Sequence, residues 1–476
     1  MAFARQPPAP AVGNIALLSV VLVLAALAVS AGITSASLTY AVGALTALVL
    51  FALVFVRTDF GIYVVIFSML LSPEFTTGGG LAEQRTISLR TEDFILVVIG
   101  FSWFAKTAVN KELGLVAKTP LNRPIAAYIV ATTLATLVGY LTGTVKTAAG
   151  FFYVLKYIEY FFVYFMVVNN LRDRSHAWRM VVAAFLTAGV VSLVGLFQIP
   201  SGERVSAPFE GEVGEPNTFG GYLLLMMAIV AGVALETTHL RARIGGLGLL
   251  GLLLLPFLFT LSRASYLGAG AAALALVGLS TRRRFMVGLL LLTLVCAPLL
   301  LLALPGTVID RVLYTFRPEY GNETFRLGRL AFDPSTSARL FSFQRALESW
   351  LERPLLGYGV TGFRFFMDAQ YARALVETGV IGLATLLGLL WAVIRGGLTA
   401  ARTLTDPQER GLALGFVAGT IGLAVHAIGS NTFIIVRIME PFWLFAGIVT
   451  MLPQLERGGR VAPVPVPARR PAGRAA

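Results

Sequence analysis

Long apolar runs recur through almost the whole chain, and they limit its fold more than any other feature. A membrane-spanning helix needs about 20 mainly apolar residues. Fourteen segments meet that rule, near 14–31, 36–56, 58–73, 92–110, 122–142, 147–169, 177–199, 217–235, 243–260, 264–280, 285–304, 373–394, 411–428 and 432–452. The third is short and only a tight turn separates the ninth from the tenth, so the expected number is about 12–14. Of the 476 residues 57% are hydrophobic and 13% charged, whereas soluble domains carry about 25% charged residues. No soluble fold could cover so much apolar surface. A transmembrane barrel would instead show short alternating segments. The expected class is therefore an all-α polytopic membrane protein.

The basic residues orient the spans. With the N-terminus inside, the inner loops carry Arg57, Lys106, Lys111, Lys118, Arg123, Arg172, Arg174, Arg241, Arg243, Arg282, Arg283, Arg284, Arg395, Arg402 and Arg410. The short outer loops hold only Arg85, Arg90, Lys146, Arg204 and Arg263. This asymmetry follows the positive-inside rule and places both termini in the cytoplasm. It also accounts for the net charge of +13 without nucleic acid, since basic loop residues set topology and touch membrane lipids. The first apolar run is too long for a signal peptide and reads as an uncleaved span. The organisation expected is a cytoplasmic N-terminus (1–13), eleven spans (14–304), a large outer loop (305–372), three spans (373–452) and a disordered Pro- and Arg-rich tail (453–476). A lone cysteine, Cys296, and three histidines leave little from which to build a metal site, and none is expected.

The outer loop is too long for a mere connection. Within it Ser335 or Thr336 can cap a helix on which Leu340, Phe343, Leu347, Trp350 and Leu351 recur at helical spacing. Pro354 ends that helix, and Gly357 and Gly359 permit a tight turn. It is expected to lie on the outer interface as a lid over whatever the spans enclose.

Polar residues collect at the same face. Arg204, Arg263 and Arg339 converge there by topology, and a guanidinium fork suits phosphate oxygens. The alternative is that each snorkels to lipid phosphates. Lys156 and Glu159, and likewise Arg437 and Glu440, stand three residues apart within spans. Such pairs are either functional or mutually compensating, and Arg437 is near enough to the outer face to help bind an anion. Asp368, His426 and Glu377 are candidates for a proton acceptor, Asp368 first; the alternative for such residues is a cap or a solvated helix end. Arg345 and Tyr371 are further candidates, and Glu210, Glu212 and Glu215 balance the charge of the Arg204 loop.

The stretch from Arg204 to Ile448 resembles the O-antigen ligase/polymerase family of bacterial envelope glycan assembly. The resemblance rests on the order of RVSAPFEGEVGEPNTFGGYL, TLSRASYLG, SARLFSFQRALESWLERPLLGYGVTGF, YARALVETGVIG and HAIGSNTF, with Asn217 in the first of them. It implies a helical fold related to the lipid-carrier-dependent, GT-C-like membrane glycosyltransferases. It further implies an undecaprenyl-diphosphate-linked oligosaccharide as donor, a glycan or lipid A-core as acceptor, and a site facing the periplasm that works without a cofactor. Arg204, Arg263 and Arg339 would hold the diphosphate. One departure matters: ligases of the family often have His-Asn before the tyrosine, where this chain has Asp368 and Ala369. That favours a polymerase over a ligase. The residue-based alternative, a transporter of an anionic lipid or solute, would need polar residues along a path, and here they cluster at one face.

Overall fold

The computed structural model describes residues 38–76, 88–110, 118–147, 149–209, 214–295, 305–316, 324–328, 330–365 and 367–458. The span expected at 14–31, together with Arg85, Glu210, Glu212, Cys296 and the tail from 459, lies outside them. The membrane part begins with α1 (Leu38–Val56), α2 (Thr58–Leu71), α3 (Thr91–Asn110), α4 (Asn122–Leu141), α5 (Ala149–Asn170) and α6 (Arg174–Gln198). It continues with α7 (Pro216–Glu236), α8 (Leu240–Phe259), α9 (Arg263–Leu279) and α10 (Arg283–Val295). Two helices of the long loop follow, α11 (Gly306–Leu313) and α12 (Pro334–Trp350), and then α13 (Gln370–Thr403), α14 (Pro407–His426) and α15 (Val436–Glu456). Strands among the described residues are limited to two short antiparallel ladders, Glu74–Thr76 with Ser88–Arg90 and Arg326–Leu327 with Leu330–Ala331.

Seven of these helices (α4, α5, α6, α7, α8, α13 and α15) are long and apolar enough to cross a membrane. The protein is an all-α polytopic membrane protein. The expected number of spans is larger because Leu45–Val56 of α1, α2 and α9 are apolar but short, α3 and α14 each open with two charged residues in the first turn, and the runs expected at 14–31 and 285–304 lie wholly or partly outside the described residues.

Helix α14 sits at the centre because its sequence, GLALGFVAGTIGLAVH, carries glycine at intervals of four, four and three residues, once in each turn. Gly411 meets the backbone of Gly232, and Gly415 that of Ala228 and Ile229, all on α7. Gly422 faces the carbonyl of Gly268 on α9, where an added Cβ would stand 2.8 Å away. Small residues let helix backbones approach closely, which is what drives association inside lipid. Bulky residues fill the remaining interior: Trp443 packs edge-on against Phe161, Tyr164 and Phe442.

The two ends of the bundle differ. At one, side chains stitch helix termini together: Lys106 donates to Val56 O at 3.3 Å, Arg174 Nε to Glu409 at 2.6 Å, and Ser280 to Glu236 at 2.7 Å. At the other, long loops gather. Thr144 donates to Tyr358 O at 2.6 Å, Arg204 to Thr260 O at 2.9 Å, and Asn431 to Met367 O at 2.7 Å.

The long loop is more elaborate than one helix. Its lid helix, α12, is capped by Asp333 and not by Ser335 or Thr336. Pro334 takes the first helical position, leaving the Asp333 carboxylate to accept from Ser335 N and from Thr336 Oγ1. Its buried residues are Ser337 and Ala346, whereas Leu347 and Leu351 of the expected apolar face are exposed. In a membrane protein such a face is available to lipid.

The loop then locks onto α13. At Gly379 that helix breaks, with φ 64° and ψ −169°, a conformation almost confined to glycine. The turn Pro354–Gly359 pairs with the broken backbone on both sides: Tyr358 N donates to Val376 O at 2.9 Å, Gly359 N to Glu377 O at 2.8 Å, and Val380 N to Pro354 O at 2.9 Å. A Cβ on Gly379 would run into the carbonyl of Leu355, and one on Gly357 into that of Val376. Gly379→Ala is therefore expected to cost roughly 1–3 kcal/mol from the backbone alone. It should lower the thermal midpoint of detergent-purified protein by several degrees; an unchanged midpoint would show that the interlock carries no stability.

Candidate active site

The turn between α8 and α9, Thr260–Ser262, is where the site is built. Leu261 takes a positive φ of 49°, and Ser262 caps α9 by accepting from Ser265 N. The turn thereby presents two carbonyls to arginines from distant segments. Arg204 donates to Thr260 O and, at 3.4 Å, to Leu261 O. It also reaches Asn217 Oδ1 at 3.5 Å. Arg311, from α11, donates to the same Leu261 O at 3.4 Å. Arg263 itself opens α9 and extends toward the lid, where its two terminal nitrogens grip Asp333 at 2.8 and 3.0 Å while Thr315 accepts at 2.8 Å. Arg339, one turn into α12, donates to Ser335 Oγ at 3.0 Å and to Asp368 at 3.1 Å. Its aliphatic stem lies over Gly429.

Four guanidiniums thus share one region with two carboxylates as direct partners. The imbalance acts on their chemistry. Burial, followed by repulsion from Arg311, Arg339 and Arg263, brings Arg204 down to about 10. Burial and the charges of Arg263 and Arg339 likewise lower Arg311. For Asp333, burial alone would raise the carboxyl, but its bonds to Arg263 and Thr336 outweigh that and hold it below the usual range. Asp368 goes the other way: burial pushes it up by more than Arg339 pulls it down, and Glu215 adds to the rise.

The structure brings Arg204, Arg263, Arg339, Asp368 and Asn217 together. Of the other candidates, His426 lies beside the backbone of Asn217 and within the field of Arg339, and the rest lie elsewhere. Arg437 is fully buried and donates to the carbonyls of Pro208, Phe209 and Ser72, clamping the Arg204 loop to α15 with no surface left for a ligand. Glu377 is buried against Arg373 at 3.1 Å and accepts from Thr361 N. His426 is fully buried, with Nδ1 2.7 Å from Thr432 Oγ1. Tyr371 ties the start of α13 to Ala424 O at 2.6 Å. Arg345 stacks over the Phe365 ring at 4.8 Å. Lys156 and Glu159 are 3.5 Å apart, and Asp93 of α3 joins them as a closer partner of the lysine.

Arg311, Thr315 and Asp333 belong to the site without having been singled out from the sequence. They stand in a loop where no spacing rule applies. The available signal was GTVIDRVL, where Val308 and Val312 recur at helical spacing and Arg311 falls on the flank of that face.

A comparison with curated proteins returned no match. Residues 246–387 match the family model described as O-antigen ligase, a narrower stretch than Arg204–Ile448. The matched segment runs from α8 into α13 and contains Arg263, Arg311, Asp333, Arg339 and Asp368. Over this segment the chain is similar to the O-antigen ligase family, which supports a membrane enzyme of glycosyl transfer.

Proposed function

We propose that the chain transfers a glycan from an undecaprenyl diphosphate carrier at the periplasmic face of a bacterial inner membrane, joining O-antigen or related repeat units. The observation that carries this reading is the convergence of Arg204, Arg263, Arg311 and Arg339 under a lid helix, with Asp333 and Asp368 as their directly bonded counter-charges among the described residues. Among the described residues, Arg204 and Arg311 keep terminal N–H donors without an acceptor, and these suit two linked phosphates at the membrane boundary. In the reaction the acceptor hydroxyl oxygen bonds to the anomeric carbon as the bond from that carbon to the phosphate oxygen breaks. The electron pair leaves with the lipid diphosphate, whose growing charge the guanidiniums stabilise. The hydroxyl proton passes to Asp368, whose raised pKa makes it a better acceptor. Basic residues at the opposite end, among them Arg57, Lys106 and Arg174, support a cytoplasmic position for that end.

The family description favours a second reading, an O-antigen ligase that passes the finished glycan to lipid A-core. Asp368 and Ala369, standing where ligases often have His-Asn, favour the polymerase. Purified protein supplied with a lipid-diphosphate-linked repeat unit and no other acceptor distinguishes them. A ladder of lipid-linked multimers supports the polymerase, and transfer only after lipid A-core is added supports the ligase. Silence with both acceptors overturns the proposal.

A further inference from the structure

A second cationic feature stands on the outer loop, apart from the arginines of the diphosphate region. Helix α12 and the chain that returns to α13 run side by side, joined at one point by the bond from Arg339 to Asp368. About two turns further along α12, Ala346 is buried in a cluster with Met367 and Ala369, against which Phe363 packs. That packing leaves Arg345, Arg364 and Phe365 exposed beside it. The guanidinium of Arg345 stands 4.8 Å from the centre of the Phe365 ring, and that of Arg364 stands 5.3 Å from it.

Two like charges gathered on one ring repel each other. Apart from that ring, neither arginine has a hydrogen-bond or ion-pair partner among the described residues. Glu348, about one turn on from Arg345, accepts from Gln344 Nε2 at 3.0 Å instead. A guanidinium held over a ring is fixed through its face, so its N–H fork stays available to an acceptor. Because the side chain is already held, binding costs it less freedom. The helix period bears on where the acceptor comes from. Leu347 and Leu351, the exposed apolar face open to lipid, lie roughly 160° and 120° round α12 from Arg345. Phe365, by contrast, is three residues from Asp368, no more than about 11 Å of extended chain. A short oligosaccharide spans that distance, so a group carried on the glycan reaches these forks while a membrane phosphate meets the other face.

We infer that Arg345 and Arg364 bind the carboxylate of an acidic sugar, such as a uronic acid, in the glycan undergoing transfer, with Phe365 holding the two forks in place. The role of these residues rests on glycan transfer as proposed above and narrows its substrates to repeat units that carry a carboxylate. The acidic sugar lies near the reacting bond but not at it, so these arginines select the substrate and take no part in the proton transfer to Asp368.

Calorimetric titration of the full chain in detergent with oligogalacturonate, and with the same oligosaccharide methyl-esterified, tests this without turnover. Wild type should bind the acid at least about tenfold more tightly than the ester. Arg345→Gln and Arg364→Gln, both at exposed side chains, should each weaken the acid by about tenfold, the worth of one charge-assisted hydrogen bond, and leave the ester unchanged. Lys146→Gln removes another exposed charge from the same end of the bundle and should change nothing. Equal binding of acid and ester, or wild-type binding by the double variant, would overturn the assignment. So would an equal loss in Lys146→Gln, the mark of diffuse attraction, or displacement of the oligosaccharide by phosphatidylglycerol vesicles, the mark of a lipid site. A failed titration strikes this site alone, whereas an absent multimer ladder strikes the transfer reading.

Discussion

Arg263→Ala is expected to lower glycosyl transfer by about a thousandfold, the scale set by losing one preorganised donor at a developing negative charge. The residue has two duties in the structure, and the experiment must separate them. Its fork grips Asp333, whose side chain has no exposed surface, so the alanine variant strands a buried carboxylate. Breaking such a pair from one side costs about 3–5 kcal/mol. Asp333 also caps α12, so the lid itself would loosen. The double variant Arg263→Ala with Asp333→Asn removes the stranded charge, and asparagine remains a good cap. It should restore the thermal midpoint while activity stays lost. If activity returns with the fold, Arg263 serves the lid and the diphosphate role is wrong. Arg263→Lys should resemble the alanine variant in activity, because an ammonium cannot reproduce the two-pronged contact.

The second large effect is expected at Asp368. Replacing it with asparagine removes the proposed proton acceptor and should reduce kcat by about 10²–10⁴-fold with little change in folding. The pH profile provides a sharper test. An acceptor must be deprotonated, so kcat/KM falls as pH drops through its pKa, and burial has moved that point above the ordinary carboxylate value. Arg339 opposes the rise, so Arg339→Gln should move the acid limb to higher pH. In Asp368→Asn the limb should disappear. A wild-type rate or an unchanged limb in that variant would remove Asp368 from the mechanism.

Fold class was legible in the sequence because lipid demands long apolar helices and the chain supplies them almost without interruption. The convergence of Arg204, Arg263 and Arg339 was legible for a related reason, since alternating loops assign each to a face. Depth and face do not specify partners, however. Arg437 was well placed for a ligand by depth, but three backbone carbonyls already engage it. Glu377 was a plausible base by position until Arg373, one turn earlier, closed on it. Conversely Arg311 enters the site from a short loop helix, and its approach depends on the unusual backbone of Leu261, which no spacing pattern encodes.

The interlock at Gly379 bears on how relatives of this protein can exchange parts. Loops on the surface of a bundle are ordinarily portable, since they contact the scaffold only at their ends. Here three backbone hydrogen bonds join the turn at 354–359 to residues 376–380 inside a membrane helix. A graft that takes the outer loop and stops at the start of α13 would divide this shared backbone between two parents. The smallest transplantable segment therefore extends through Gly382, and swaps of acceptor specificity should place their crossover points beyond it.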